Sequence, residues 1–431
     1  MIYYASWAID ESNNLWRWGT NYYGVIGDNT IVQRSKPVFI GAGYSELLSN
    51  SITVFARKTD NSIFCWGANP SGQLGLSDII NRSSPVIFDA NGSAWADIQS
   101  ESGTTIGLKT NGTLWSWGLG DVGALGTNNI LHRSSPVQVG TDNTWSKIAI
   151  GADAVYAIKT NGTLWIWGSG QRGAWGNNLP GTSTIGRSPG RSSPLQLGTD
   201  TNWQKIKTFY PGCFALKSNG SVWAWGYLVY GIRGDNLASP TDVSSPMQVF
   251  GNFVYTDIDN GGNINAAAKR NDGTIWGLGY LSNGVNSVTS YSSPVQIAPS
   301  FRFDETKIIQ NDNFLALKTV EAIVAPTATP PIPTPTATPA PQNGMFVWGN
   351  NTNGVLGLND TVHRSDFIQL GTDAQWSNTR VKNITSSDSN HTIAVKYDGT
   401  IWGWGDNTYS QIGIGDKTHR SSPVQIGTTT D

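Results

Sequence analysis

Histidine offers acid–base and metal chemistry, and this chain of 431 residues has only four histidines. His132, His363 and His419 each stand directly before an Arg-Ser pair, whereas His391 stands alone. Other copies of that position carry Gln33 and Asn81. Because the three histidines share one position of a repeat, they are distant in the chain and predict a polar loop residue with a structural hydrogen bond, not a metal site.

Arginines recur at one position before Ser-Ser-Pro or its variants. These are Arg34, Arg82, Arg133, Arg191, Arg364 and Arg420. A ring of arginines could attract an anionic partner. The favoured interpretation is structural, because a side chain repeated in register usually caps carbonyl groups or packs on its neighbour.

Tryptophan pairs separated by one residue, such as Trp115 and Trp117, suggest sugar binding or light sensing. Strand alternation places both members of a pair on one face of a sheet. We therefore expect core packing. The other complete pairs are Trp16/Trp18, Trp165/Trp167, Trp223/Trp225 and Trp402/Trp404.

No catalytic constellation emerges from the remaining residues. The sequence has no phosphate-binding Gly-x-x-x-x-Gly-Lys-Ser/Thr, no Gly-x-Ser-x-Gly and no His-Glu-x-x-His. Turns such as GDNT at 27–30 lack the spacing of a calcium loop. Cys65 and Cys213 belong to separate units, which predicts two buried thiols and no disulfide. We expect no enzyme activity, no cofactor and no metal.

The elements that position these residues repeat eight times. An aromatic strand ends in a glycine at Gly19, Gly67, Gly118, Gly168, Gly226, Gly279, Gly349 and Gly405, at intervals from 48 to 70 residues. A segment such as HRSSPVQVG at 132–140 follows each strand, and Trp-x-x-Ile precedes most units. Repeats of this length are typical of propellers and solenoids.

The sequence pattern of one unit predicts four short strands, which make one propeller blade. Asn111-Gly112 between IGLKT at 106–110 and TLWSWG at 113–118 predicts a hairpin in which both turn residues have positive φ. The first unit begins inside its second strand, and SSPVQIG at 421–427 could join the N-terminal strands to close the ring. The prediction is an all-β propeller, with eight blades favoured over seven.

The repeat resembles that of the regulator of chromosome condensation family. The likeness rests on aliphatic-Lys-x-Asn-Gly-x-Leu-Trp-x-Trp-Gly, then Gly-x-Leu-Gly as in Gly72-Gln73-Leu74-Gly75, then Ser-Ser-Pro-x-Gln. It covers nearly the whole chain. The resemblance implies a propeller, seven-bladed in most members, that binds proteins through its faces. Members include exchange factors for small GTPases, chromatin binders, a plant photoreceptor and a β-lactamase inhibitor.

The composition limits the classes of partner that the chain is expected to bind. Charged residues are only 13% and the formal charge is −2, without a Lys/Arg run, so we expect no nucleic-acid binding. No apolar run approaches 18 residues, and the first residues lack the features of a signal peptide, so we expect no membrane insertion. The repeat predicts a single propeller domain over 1–431, with an insertion at 320–344 in the seventh unit.

That insertion contains the Pro/Thr tract APTATPPIPTPTATPAP at 325–341, which favours extended polyproline II. With the irregular loops 177–190 and 227–243, it supplies the candidate partner-binding residues: Arg187, Tyr227, Tyr230, Arg233, Pro331 and Pro333. We expect a non-catalytic binding or structural module that contacts a protein or glycan and that can form part of a larger assembly. The expected setting is a virion or extracellular surface of bacterial or phage origin. A regulatory propeller (exchange factor or enzyme inhibitor) and a lectin are the alternatives.

Overall fold

The structure is a computed structural model, and it describes most of the chain. The described residues are 5–50, 52–89, 94–151, 153–177, 190–209, 212–228, 241–260, 265–279, 291–297, 305–309, 313–318, 344–371, 391–396 and 398–427. Within these ranges the regular elements are strands β1 to β30 and four 3₁₀ turns. The turns are Tyr22–Gly24, Asp121–Gly123, Gln171–Gly173 and Thr352–Gly354. The all-β prediction is confirmed.

Six sheets have four antiparallel strands, hydrogen-bonded in chain order. The second and third sheets comprise β4 (Tyr44–Asn50), β5 (Thr53–Lys58), β6 (Ile63–Gly67), β7 (Arg82–Asp89), β8 (Trp95–Glu101), β9 (Thr104–Lys109), β10 (Leu114–Gly118) and β11 (Arg133–Gln138). The fourth and fifth comprise β12 (Trp145–Gly151), β13 (Ala154–Lys159), β14 (Leu164–Gly168), β15 (Arg191–Gln196), β16 (Trp203–Phe209), β17 (Gly212–Lys217), β18 (Val222–Leu228) and β19 (Thr241–Val249). The sixth and seventh comprise β20 (Tyr255–Asn260), β21 (Asn265–Arg270), β22 (Ile275–Gly279), β23 (Tyr291–Ile297), β24 (Glu305–Ile309), β25 (Asn313–Lys318), β26 (Gly344–Gly349) and β27 (Arg364–Gln369).

The first and eighth sheets have three described strands each. They comprise β1 (Ala5–Ile9), β2 (Leu15–Gly19), β3 (Arg34–Gly41), β28 (His391–Val395), β29 (Ile401–Gly405) and β30 (Arg420–Ile426). Strand β30 pairs with β29 in its own blade, with Gly403 opposite Val424. The suggestion that this last segment joins the N-terminal strands is therefore wrong.

The hairpin between the second and third strands of a blade has a longer turn than predicted. Gly112 has φ 78°, whereas the φ of Asn111 is not positive. The N–H of Gly112 donates to the Lys109 carbonyl, and the N–H of Lys109 donates to the Thr113 carbonyl. This is a type I turn followed by a left-handed glycine, so the expectation of two positive φ angles is wrong.

Tryptophan side chains join neighbouring blades. Trp117 in the third blade donates its Nε1–H to the carbonyl of Gln73 in the second blade at 2.9 Å. The second tryptophan of a pair does the same at other seams: Trp18 to Gln411, Trp66 to Val25, Trp167 to Ala124, Trp225 to Ala174 and Trp404 to Val355. Each of these six side chains is fully buried.

A backbone bond at the same seams explains the repeated Arg-Ser segment. The N–H of Ser77 in one blade donates to the carbonyl of Ser134, the first serine of that segment in the next blade, at 2.7 Å. A Cβ on Gly72 would lie 2.5 Å from Ser134 Cα, so this approach requires glycine. Equivalent bonds run from Asn29 to Ser83, Asn128 to Ser192, Asn359 to Ser421 and Gly415 to Ser35.

The ring closes between the eighth and first blades. The Trp18–Gln411 and Gly415–Ser35 bonds cross that seam, and Ala8, Trp18, Ile393 and Ile426 form one buried cluster there. The closed ring therefore contains eight sheets, as the sequence favoured.

The Pro/Thr tract connects two paired strands of the seventh blade. Lys318 at the end of β25 lies opposite Gly344 at the start of β26. Residues 319–343 between them lie outside the described residues. The single-domain assignment for 1–431, with its insertion at 320–344, stays a prediction.

Candidate protein-binding face

The titratable side chains of the described residues do not assemble a metal centre. Within the ranges given above, no group of three His, Cys, Asp or Glu side chains could hold a metal ion. Cys65 and Cys213 are free and buried, as predicted, and burial raises the pKa of both thiols. A buried thiol held in its protonated form is a poor nucleophile.

The repeated histidines have the structural role that was predicted. The Nδ1 atom of His132 accepts the N–H of Gly120 at 3.0 Å, and that of His363 accepts the N–H of Asn351 at 2.8 Å. In the second blade the Asn81 side chain accepts the N–H of Asn69 in the same way. In these three blades the position supplies a hydrogen-bond acceptor for the loop backbone.

The recurring arginines are bound within their own loops. Arg82 pairs with Asp78 at 2.5 Å, and Arg420 pairs with Asp416 at 2.6 Å. Arg34 pairs with Asp28 and Arg364 with Asp360. The hydrogen bond from Arg364 lowers the pKa of Asp360. These four arginines are thus structural. Arg133 differs, because Asn129 stands where the other loops carry the aspartate.

In four of the five pairs, the first tryptophan is half-buried beneath a lysine. Lys159 Nζ lies 3.9 Å from the ring centroid of Trp165 and 4.7 Å from that of Trp145. The Nε1–H of Trp165 donates to Thr163. Lys109 and Lys217 make the same pair of contacts in their blades. The described pairs are thus packing elements, as predicted.

Of the candidate partner-binding residues, only Tyr227 is described. It is half-buried at the end of β18, and the Arg172 guanidinium lies 4.1 Å from its ring centroid. Arg172 also lies 3.7 Å from Asp242. Tyr227 therefore takes part in a contact between the fourth and fifth blades. Arg187, Tyr230, Arg233, Pro331 and Pro333 lie outside the described residues.

The clearest exposed feature is a set of aliphatic side chains that sequence reasoning missed. They lie in the loops after the third strands, at what we name the loop face, the end of the propeller where those strands finish. The set, here called the aliphatic arc, occupies two consecutive equivalent positions in each of the first three blades. Its members and their exposed fractions are Ile31 73%, Val32 57%, Ile79 65%, Ile80 62%, Ile130 63% and Leu131 56%.

Hydrogen bonds within each loop fix its backbone so that the side chains of the aliphatic arc point into solvent. The amide of Asn69 donates to the carbonyls of Asp78 and Ile80, and its Oδ1 accepts the N–H of Leu74. Asp78 accepts the N–H of Ile80, and Arg82 donates to the Ile80 carbonyl. Both main-chain polar groups of Ile80 are thus satisfied, so its side chain projects from a fixed backbone.

The aliphatic pair is incomplete in the other described loops of this type. The seventh blade carries Thr361 and the exposed Val362 at these positions, and the eighth carries Lys417 and Thr418. Tyr22 and Tyr23 in the first blade are also exposed. The apolar character of the described loop face is therefore concentrated on the first three blades. The sequence signal was an aliphatic pair two residues before Arg-Ser in consecutive units.

Fold and repeat together define the class, a β-propeller built from repeats of the chromosome-condensation type. The family model for the regulator of chromosome condensation (RCC1) repeat matches residues 111–158 and 398–431, and a second model of this repeat matches 381–411. The resemblance read from the sequence is confirmed, since the chain contains repeats of the RCC1 type.

Curated relatives share short stretches with the chain. The ultraviolet-B receptor UVR8 of Arabidopsis thaliana is 37% identical over 82 residues, which are 19% of this chain and 18% of that protein. The X-linked retinitis pigmentosa GTPase regulator of Homo sapiens is 33% identical over 82 residues, 19% of this chain and 8% of that protein. The human E3 ubiquitin-protein ligase HERC2 is 29% identical over 222 residues, 50% of this chain and 4% of that protein. The chain thus spans less than a fifth of the length of each.

Solved propellers match over almost the whole chain. Human WBSCR16 has a TM-score of 0.60 at 16% identity, covering 96% of this chain and 94% of that one. Prp20p of Saccharomyces cerevisiae has a TM-score of 0.59 at 15% identity, covering 99% and 88%. At such identities the similarity shows the fold alone. Within the described residues, no helix has the length and apolar character to cross a membrane.

Proposed function

We propose that this chain is a non-catalytic propeller that binds a protein partner through its loop face, with the aliphatic arc at the centre of the contact. The observation that carries the proposal is the exposure of six large aliphatic side chains at two consecutive equivalent positions of three adjacent blades. Single exposed apolar residues are ordinary on protein surfaces, but a set on the order of 500 Å² is typical of an interaction site.

Rigidity supports the same proposal. Each loop of the arc is fixed by its own hydrogen bonds and joined to the next blade by a backbone bond, as Ser77 is to Ser134. A partner that binds there orders few side chains, because the surface is already organised. Less conformational entropy is then lost on association.

The charges near the arc favour a protein over a nucleic acid or a lipid surface. Arg34 and Arg82, the basic residues closest in sequence to the first two loops, are neutralised by Asp28 and Asp78. Phosphate-bearing partners are attracted by unpaired basic clusters. An apolar patch with a polar rim is the pattern of protein–protein interfaces.

Two settings are consistent with such a face. The finer proposal is a virion or cell-surface component of bacterial or phage origin, supported by the low charge and by the Pro/Thr tract at 325–341. The alternative is a regulatory propeller. It is supported by relatives described as a GTPase regulator and, for Prp20p, by binding to Gsp1p and histones. We do not propose a lectin, because each described tryptophan pair has one buried member and one half-buried member.

The test compares a loop-face variant with a matched control. Ile79→Ser with Ile80→Ser removes two arc residues, and Ile87→Ser with Val254→Ser removes two exposed apolar residues elsewhere. A partner would first be identified by cross-linking mass spectrometry in the source material, then titrated against each variant. We expect the arc variant to lose about tenfold or more in affinity and the control less than about twofold. Equal affinity for all three proteins contradicts the proposal.

A further inference from the structure

The repeated arginine is held by an Asn-Asp-Arg network in four blades. In the second blade, Arg82 donates to Asp78 Oδ2 at 2.5 Å and to the Ile80 carbonyl at 2.7 Å. Asn69 donates to Asp78 Oδ1 at 3.0 Å. The same three residue types recur as Asn21/Asp28/Arg34, Asn351/Asp360/Arg364 and Asn407/Asp416/Arg420. In these loops the aspartate neutralises the arginine and occupies donors of its guanidinium.

The third blade contains the arginine without the other two members of this network. Gly120 and Asn129 stand at the asparagine and aspartate positions. Asn129 Oδ1 accepts the N–H of Leu131 at 3.0 Å, which is the bond that the aspartate makes in the other loops. Its Nδ2 donates to the Thr127 carbonyl at 3.0 Å. Because an amide nitrogen only donates, it cannot accept a hydrogen bond from Arg133.

Arg133 is therefore a half-buried cation whose donors are not taken up by its own loop. Its side chain makes no hydrogen bond or ion pair with any residue that the structure describes. The carboxylate of Asp121 in the same loop faces His132, with Oδ1 3.7 Å from Nε2. A guanidinium presents two parallel N–H donors that match the two oxygens of a carboxylate, so this position suits an acidic ligand.

The position of Arg133 within the aliphatic arc indicates which ligand carries that carboxylate. The next residue, Ser134, accepts the N–H of Ser77 at 2.7 Å, and Ser77 belongs to the loop with the second aliphatic pair. Leu131 of the third pair stands two residues before Arg133. Arg133 thus lies between two aliphatic pairs. Apolar groups that exclude water strengthen the attraction between a guanidinium and a carboxylate.

We propose that Arg133 binds a carboxylate of the partner polypeptide, from an aspartate or glutamate flanked by large apolar residues that cover the aliphatic arc. A carboxylate is favoured over phosphate because phosphate-bearing partners are bound by several cations together, and Arg82 in the adjacent blade is already neutralised. This inference rests on the proposed function, since the carboxylate belongs to the partner of the loop face. It adds the chemistry by which that partner is selected.

The probe is isocaproate, which joins a carboxylate to a short aliphatic chain. The readout is the Nε–H resonance of Arg133 in the full chain with nitrogen-15-labelled arginine, assigned by its loss in Arg133→Lys. We expect a saturable shift with a dissociation constant on the order of 10 mM, since one charge pair and a few apolar contacts form. The neutral analogue isocaproamide should leave the resonance unchanged. The Arg82 resonance should respond to neither compound, because Asp78 occupies its donors.

Two exchanges between blades test the cause of this response, and both retain the arginines. Asn129→Asp gives the third blade the aspartate of the other loops and should abolish the response of Arg133. Asp78→Asn gives the second blade the asparagine of the third and should create a response at Arg82. The second exchange keeps the test decisive if the first variant does not fold. A silent Arg82 in folded Asp78→Asn would show that the asparagine is not the cause.

The outcomes separate this inference from the loop-face proposal. It is overturned if isocaproate does not saturate Arg133, if Asn129→Asp leaves the response intact, or if inorganic phosphate saturates Arg133 at a lower concentration. The loop-face proposal is tested by the effect of Ile79→Ser with Ile80→Ser on the cross-linked partner. Asn129→Asp should lower the affinity for that partner about tenfold. If the arc variant weakens the partner and Asn129→Asp does not, the loop face stands and the carboxylate site fails.

Discussion

At the scale of single residues, the two tryptophans of a pair have different structural roles although their sequence positions look alike. Trp167 is fully buried and donates across a seam to Ala124, whereas Trp165 is half-buried and bonds within its own hairpin. The sequence predicted packing for both. It did not distinguish them, because the seam that buries one of them is formed by residues of another blade.

Trp167→Phe should therefore destabilise the protein more than Trp165→Phe. The first change leaves the buried carbonyl of Ala124 without its tryptophan donor and leaves unfilled volume, which together cost about 2 kcal/mol. The second change acts at a half-buried site and should cost less than about 1 kcal/mol. The measurement is urea unfolding followed by circular dichroism. Equal losses for the two variants would show that the seam bond contributes nothing.

At the scale of elements, the strands were predictable and the turn geometry was not. The alternation in TLWSWG at 113–118 and the repeated serine-proline segments located the third and fourth strands. Asn-Gly is compatible with more than one two-strand connection. The bond from Lys109 to the Thr113 carbonyl, which selects the type I turn with a left-handed glycine, depends on strand register that a dipeptide does not encode.

Gly112→Ala tests this geometry against a second glycine in the left-handed region. Gly112 has φ 78°, and an added Cβ would lie 2.0 Å from the Asn143 carbonyl oxygen. Gly140 has φ 63° with no atom within 4 Å of an added Cβ. Gly140→Ala should cost about 1 kcal/mol from backbone strain alone, and Gly112→Ala clearly more. Thermal unfolding measures both, and the reverse order would refute the turn assignment.

At the scale of the whole molecule, regular spacing predicted eight units, but the closed ring is a property of the seams. Ser35, Gln411 and Gly415 come from opposite ends of the chain and meet only because the eighth blade packs on the first. The candidate site was less predictable than the fold. Loops that depart from the repeat were favoured, whereas the aliphatic arc occupies regular positions whose exposure depends on how the Asn69 and Asp78 network turns the backbone.

The measurement that most directly tests partner binding through the loop face is a cryo-electron microscopy structure of the protein in its native assembly. We expect density from another protein over the first three blades, with Ile79, Ile80 and Ile130 buried in the contact. Such a structure would also show whether the assembly is a virion or cell surface. A partner seated only on the outer strands or on the opposite end of the propeller, with the aliphatic arc left in solvent, would contradict the central claim.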